Sequence, residues 1–338
     1  FFDRNGDKFS DDLEKSIETH LIEGRGPITR PSISLGQAKH ISSARMDYQE
    51  FCKSTIPKDT DFKGLRIVID ASHGAGYKVV PRVLAELGAE VIPIGCSPNG
   101  QNINEGCGPT HPGLLMVTVK GVQADVGIAL DGDADRVLMV DEEGSLIDGD
   151  KLLYILAFDR LREGKLRGPV VGTVMTNFGL ELALKDLGVD FQRANVGDRN
   201  VLAMLKKNGG TIGGESSGHI ICLDKTTTGD GLVSALQVLE IMRRTGKSLK
   251  NLASGMRLYP QTALNVKAPR DIDLTAYPLI SKAISDAETK LEERGRVVLR
   301  ASGTEPLVRV MVEGENEADV AAMADSLANS VRQAVGDF

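Results

Sequence analysis

Residues 65–94 read LRIVIDASHGAGYKVVPRVLAELGAEVIPI, and this stretch decides the fold. Leu65-Arg66-Ile67-Val68-Ile69-Asp70 is a short apolar run of the kind that forms a strand buried on both faces. A glycine-rich turn follows at 72–76. Next comes a helix over 77–87, closed by Gly88 at the position where a left-handed residue ends a helix, and then a strand over 90–94. The device recurs at 170–193: a strand over 170–174, a helix over 179–187, Gly188 as its cap and a strand over 189–193. Leu87-Gly88 and Leu187-Gly188 sit at the same junction of each unit. A parallel strand pair needs a crossover helix, so the two units predict two successive α/β domains with mostly parallel mixed sheets. After 254 the pattern changes to a long helix over 276–294, two strands flanking a loop within 297–312 and a final helix over 317–335, a small α+β domain. Ahead of these units, residues 10–23 predict a helix. Ser10 is its N-cap, Asp11 and Asp12 occupy its first turn, and Leu13, Ile17 and Leu21 lie on one face. Residues 24–45 lose periodicity amid Gly, Pro and Ser, which predicts a connector.

With 338 residues the chain exceeds one ordinary core, and 41% hydrophobic with 26% charged residues, 37 glycines and no tryptophan describes a soluble globular protein. The formal net charge of −7 excludes a general electrostatic attraction to nucleic acid or to an anionic membrane, so a phosphorylated ligand must be held by local arginines and backbone amides. No apolar stretch approaches the roughly 20 residues that span a bilayer, and the first residues lack a signal-peptide layout, so the expected location is cytoplasmic. Cys52, Cys96, Cys107 and Cys222 are irregularly spaced with no CxxC pair, and are read as buried free thiols. The chain starts at Phe1 rather than at a methionine, which predicts a fragment or a processed product.

Three loops carry chemistry. The first is Leu130-Asp131-Gly132-Asp133-Ala134-Asp135-Arg136, between strands over 126–130 and 137–140. In an extended strand Asp131 and Asp135 would stand about 13 Å apart, at roughly 3.3 Å per residue, whereas oxygens sharing one cation lie within about 4 Å. The segment must curl, and Gly132 and Ala134 permit it. An all-oxygen set points to Mg²⁺ rather than Zn²⁺. An EF-hand would need glycine where Arg136 stands and helices where strands are predicted. A phosphoaspartate hydrolase with Asp131 as nucleophile also fits, and a solvated acidic turn is the plain alternative.

The second loop, Gly213-Gly214-Glu215-Ser216-Ser217-Gly218-His219, places a carboxylate beside hydroxyls on a glycine-hinged turn, suited to sugar hydroxyls; an ordinary hairpin with a structural His219 competes. The third, Arg300-Ala301-Ser302-Gly303-Thr304-Glu305-Pro306 with Arg309, offers hydroxyls, successive amides and two guanidiniums to a phosphate, against the alternative of a surface turn with incidental arginines. A fourth stretch, Val196-Gly197-Asp198-Arg199, opens a helix whose N-terminus could face a ligand.

In this order the loops resemble the α-D-phosphohexomutase superfamily and, within it, the phosphoglucosamine mutase family. DGDADR is similar to that superfamily's DGDxDR metal loop, GESSGH to its GExSGH sugar loop and RASGTEP to its RxSGTEP phosphate loop. The likeness runs over essentially the whole chain, including VGDRNV, LDKTTTGDG and IGCSPNG. It implies that Asp131, Asp133 and Asp135 bind one Mg²⁺, and that Glu215, Ser217, Gly218 and His219, with Gly197, Asp198 and Arg199, meet the sugar. It further implies that Arg300, Ser302, Gly303, Thr304 and Arg309 grip the non-reacting phosphate, with Arg136 and His219 as supporting catalytic candidates.

The implied organisation is a tail of an N-terminal phosphoserine domain with a connector (1–40), an α/β domain with the metal loop (41–148), an α/β domain with the sugar loop (149–255) and an α+β phosphate-binding domain (256–338). The implied reaction interconverts glucosamine 6-phosphate and glucosamine 1-phosphate on the route to UDP-N-acetylglucosamine, through a phosphoserine and a bisphosphorylated sugar. The resemblance places the serine before Phe1, so the chain is expected to be N-terminally truncated, to lack its partner domain and to be inactive alone. Phosphomannomutase or phosphoglucomutase activity, or a non-catalytic sugar-phosphate-binding fragment, are the alternatives.

Overall fold

The computed structural model describes every residue except 1, 5, 7, 23–35, 271, 293, 303, 304, 337 and 338. The chain forms two compact units, residues 1–147 with 217–249 and residues 148–216 with 250–338. In order, the first segment carries α1 (Asp11–Ile22), α2 (Ala44–Ser54), β1 (Arg66–Asp70), α3 (Val79–Glu86), β2 (Glu90–Ile94), α4 (Gly113–Gly121), β3 (Val126–Leu130), β4 (Val137–Val140) and β5 (Leu146–Ile147). The next carries α5 (Gly149–Arg162), β6 (Val170–Thr173), α6 (Phe178–Asp186), β7 (Phe191–Ala194), α7 (Asp198–Asn208) and β8 (Ile212–Gly214). Then follow β9 (Ile220–Cys222), α8 (Gly231–Thr245), α9 (Leu249–Ala253), β10 (Gln261–Lys267), α10 (Pro278–Leu291), β11 (Gly295–Ala301), β12 (Leu307–Gly314) and α11 (Glu317–Val335).

In the first unit the sheet order is β2-β1-β3-β4-β5. β1 runs parallel to β2 and to β3, and β3, β4 and β5 form an antiparallel meander. Every residue of β3 is buried, as a central strand covered on both faces requires. Leu115 and Val119 of α4 close one face against Val68, Ala129 and Val140. The loop that leaves β3 therefore emerges at the carboxyl end of the parallel strands, where open α/β sheets place their ligands. In the second unit β6 lies parallel to β7 and β8, and β12 is the centre of an antiparallel β10-β12-β11 ribbon packed on α10 and α11.

The two strand–helix–strand units close alike. Gly88 N–H donates to Ala85 O (2.9 Å) and Ala89 N–H to Leu84 O (3.1 Å); Gly188 N–H donates to Lys185 O (2.9 Å) and Val189 N–H to Leu184 O (2.9 Å). Both glycines have positive φ, +95° and +70°, which a Cβ would strain. The predicted helix over 276–294 begins later, at Pro278, whose fixed φ suits a first helical turn, after a 3₁₀ turn at Leu274–Ala276 capped by Asp273. Several elements were not anticipated, among them α2, α4, α5, α8, α9, β5 and β10. α1 forms as predicted, with Ser10 Oγ accepting from Leu13 N–H (3.4 Å), but none of its residues is buried. Among the described residues no helix is long and apolar enough to cross a membrane.

Candidate functional site

The loop after β3 curls as its spacing demands. Ala134 adopts a left-handed φ of 63°, and its N–H donates to Asp131 O at 3.1 Å. The curl brings one ligand oxygen from each of Asp131, Asp133 and Asp135 within 4.8 Å of the others. The backbone N–H of Arg136 donates to Asp131 Oδ1 (3.0 Å), and Arg136 Nε lies 3.7 Å from Asp131 Oδ2 and 3.8 Å from Asp135 Oδ1. His219, only 3% exposed, holds its Nδ1 3.3 Å from Asp135 Oδ2. Asp135 Oδ1 is buried and, among the described residues, accepts no hydrogen bond. A buried carboxylate oxygen that accepts no hydrogen bond, among three clustered acids, is what a hard divalent cation would satisfy, so the donor set fits such an ion.

The two inner acids titrate apart. Burial, reinforced by the charges of Asp135 and Asp133, pushes Asp131 up to about 6, although the Arg136 N–H pulls the other way. Asp135 is held below the usual carboxylate range, chiefly by its hydrogen bond to His219. A cation must displace the proton from Asp131, so divalent-cation affinity is expected to be flat above about pH 6 and to fall about tenfold per pH unit below it. Calorimetric titration of Mg²⁺ between pH 5 and 8 checks this, and a profile flat down to pH 5 would contradict it.

The support of this loop comes from segments whose sequence announced no role. Gly231 N–H donates to Ala134 O (2.9 Å), and Ala75 N–H to Gly132 O (2.7 Å). Ser72 Oγ donates to Leu130 O (2.5 Å). An added Cβ at Gly74 would stand 2.2 Å from Gly132 O, and one at Gly229 would stand 2.2 Å from His219 Nε2, so both positions demand glycine. Asp230 caps α8 through Val233 N–H and accepts from Tyr48 Oη (2.8 Å). The LDKTTTGDG run thus ends in a brace for the acidic loop and for His219.

The glycine-rich second loop falls across the division of the chain. Gly213, Gly214 and Glu215 belong to the second unit; Ser217, Gly218 and His219 belong to the first. Glu215 Oε1 accepts from Gly197 N–H at 3.0 Å, which joins the Val196–Arg199 stretch to the carboxylate predicted to meet a sugar. Gly197, with φ 119°, stands at the N-cap of α7, and Asp198 and Arg199 open that helix, as predicted. In the first unit Gly218 has φ +95° and lies against Val137, whose N–H donates to Gly218 O (3.0 Å). Ser217 is exposed.

In the ribbon, Arg300 of β11 and Arg309 of β12 are direct cross-strand partners. Arg309 Nη2 reaches Glu305 Oε2 at 3.3 Å, whereas Arg300 Nε is buried with no hydrogen-bond partner among the described residues. Burial first, and Arg309 second, pull the Arg300 guanidinium below its usual range. Like charges facing each other across a ladder are unfavourable unless an anion joins them. Ser302 Oγ accepts from Glu305 N–H (3.2 Å) and Ser302 N–H donates to Leu307 O (2.8 Å), which shapes the turn. Gly303 and Thr304, predicted to complete the cradle, lie outside the described residues.

The chain matches three family profiles: phosphoglucomutase/phosphomannomutase alpha/beta/alpha domain II over residues 46–144, alpha/beta/alpha domain III over 148–259 and the C-terminal domain over 264–330. It is 52% identical over 334 residues to a phosphoglucosamine mutase of Alkalilimnicola ehrlichii, covering 99% of this chain and 74% of the relative. The corresponding protein of Halorhodospira halophila is also 52% identical, with 99% and 73% covered. The chain thus spans about three quarters of the length of these two relatives. Among solved structures, a phosphoglucomutase/phosphomannomutase family protein from Burkholderia thailandensis superposes with a TM-score of 0.77 at 23% identity, covering 96% of this chain and 71% of that one. The Aspergillus fumigatus N-acetylphosphoglucosamine mutase, solved with GlcNAc-6P and magnesium, gives 0.70 at 21% identity, with 89% and 68% covered; both likenesses speak for the fold. The glycine-braced acidic loop and the arginine pair thus belong to a member of the phosphoglucomutase/phosphomannomutase family and, within it, of the phosphoglucosamine mutases.

Proposed function

We propose that this chain binds glucosamine phosphates and serves their interconversion between the 6- and 1-phosphate, with a bisphosphorylated sugar as intermediate. The observation that carries the reading is the Arg300–Arg309 pair, two facing guanidiniums with a buried Nε that has no partner among the described groups. Such a pair suits the non-reacting phosphate, with Ser302 and, by resemblance, Gly303 and Thr304 completing the cradle. Asp131, Asp133 and Asp135 would hold Mg²⁺, which when bound neutralises charge on the moving phosphoryl group. Arg136, already turned towards these acids, adds a further positive charge there. His219 is enclosed and hydrogen-bonded to Asp135, so we assign it to orienting that carboxylate rather than to carrying protons. Glu215, aligned by Gly197 N–H, accepts from sugar hydroxyls, with Ser217 beside it in sequence.

Phosphoryl transfer relies on positioning and charge neutralisation, which is what such loops supply. The donor in this reading is a phosphoserine outside the three loops. Ser302 Oγ is already engaged with Glu305 N–H, and Ser216 stands within the sugar motif. A coupled mutase assay in competition tests the reading. Turnover is expected to favour glucosamine phosphates over glucose and mannose phosphates. Release of inorganic phosphate with label on Asp131 would identify a hydrolase instead, and binding without turnover in the phosphorylated full-length enzyme would leave only a sugar-phosphate-binding module.

A further inference from the structure

Two arginines from different strands converge on one carbonyl of the turn at 173–178, which joins β6 to α6. Thr176 O accepts from Arg193 Nη1 of β7 (2.8 Å) and from Arg296 Nη2 of β11 (2.6 Å). Arg193 Nη1 also reaches Thr173 O (2.9 Å), and Arg296 Nη1 reaches Val174 O (2.8 Å). Each guanidinium brings its own carboxylate, Glu181 for Arg193 (2.7 Å) and Glu313 for Arg296 (2.5 Å). Glu313 is fully buried, and its Oε1 accepts from Phe178 N–H (3.3 Å) and Gln261 Nε2 (3.2 Å). Asn177 completes the joint, with its backbone N–H on Asp150 Oδ2 (2.8 Å) and its side chain bonded both ways to the backbone of Tyr259 (3.0 Å each). The turn is therefore held to the α/β layer by Arg193 and Asp150, and to the ribbon by Arg296 and Glu313.

The register of the ribbon gives this joint a consequence. Arg296 faces Glu313 across β11 and β12, and four residues further along the same two strands Arg300 faces Arg309. An even spacing keeps both pairs on one face, roughly 13 Å apart along the strand. A buried ion pair is a poor source of stability, since desolvation offsets most of its attraction, but a guanidinium fork that satisfies a carboxylate and two carbonyls at once fixes an orientation. We propose that Arg296 is a positioning residue: paired with Glu313 it sets the β11–β12 ribbon on the 173–178 turn and so determines where Arg300 and Arg309 stand. The proposal rests on the reading of those two arginines as a phosphate clamp.

The test uses the full chain carrying Arg296→Met with Glu313→Gln, which removes both charges together and so leaves no uncompensated buried ion. Affinity for glucosamine 6-phosphate should fall about tenfold or more, as expected when binding groups are misplaced by a fraction of an ångström to an ångström. Affinity for unphosphorylated glucosamine and for Mg²⁺ should hold, and amide exchange over 173–178 and 307–312 should accelerate. Arg296→Lys keeps the charge without the fork and should lose affinity by a smaller factor with the fold intact; it carries the test if the double variant fails to fold. Unchanged sugar-phosphate affinity, or an equal loss for the unphosphorylated sugar, would overturn the proposal. Arg309→Ala is the control: if it leaves sugar-phosphate affinity unchanged, the clamp reading fails and this proposal with it, whereas a loss there with none in the Arg296 variants strikes the positioning role alone.

Discussion

Asp133→Asn is expected to weaken Mg²⁺ binding roughly a hundredfold, equivalent to about 2.7 kcal/mol, and to take mutase turnover down with it. The position is chosen because the three acids are not equivalent. Asp131 accepts the Arg136 N–H that holds the loop in its curl, and Asp135 is tied to His219, so neutralising either would disturb structure as well as charge. Asp133 is the exposed member and, among the described residues, makes no hydrogen bond that shapes the loop. Asparagine keeps its shape and removes one of three negative charges that repel one another without a cation. The melting temperature measured without metal should therefore stay level or rise slightly while the calorimetric affinity for Mg²⁺ collapses. A wild-type Mg²⁺ titration, or wild-type turnover at limiting Mg²⁺, would remove Asp133 from the site.

What the sequence made legible follows from range. Strand β2 and helix α11 fall at their predicted bounds because their signals are local: an apolar run before a turn in the first, and an asparagine whose side chain accepts from Ala318 and Asp319 N–H in the second. Helix α2 lies almost wholly beyond the 24–45 connector and was not recognised, because only Gln49 and Cys52 are buried and no side chain caps its start. Strand β10 is an edge strand with one buried residue, Val266, and its polar face left no apolar run to recognise. The same division holds at the site. That the acidic loop had to curl was a matter of reach between neighbours in sequence. That Gly231 and Gly74 hold the curl, and that Arg296 and Glu313 hold the ribbon, depends on contacts between distant segments, and no local pattern marks such residues.

Arg300→Met should lower affinity for glucosamine 6-phosphate by at least roughly tenfold while leaving the protein as stable or more stable. Opposite signs are expected because Arg300 serves a ligand at the expense of the fold. Its Nε is buried with no hydrogen-bond partner among the described residues and its guanidinium faces that of Arg309, so both burial and repulsion disfavour its charge before an anion arrives. Methionine keeps most of the apolar stem and deletes the unsatisfied donor, a change worth about 0.5–1 kcal/mol in favour of the folded state. On the binding side, each charge-assisted hydrogen bond to a phosphate contributes about 1.5–3 kcal/mol, which is roughly a 10- to 150-fold change in affinity. Arg309 is exposed and already shares Glu305, so Arg309→Ala should show the affinity loss without the gain in stability. Calorimetric titration with phosphorylated and unphosphorylated glucosamine, alongside thermal melts of both variants, separates the cases. Equal loss for the two sugars, or a destabilisation of Arg300→Met by more than about 1 kcal/mol, would show instead that Arg300 is part of the framework and that the phosphate is held elsewhere.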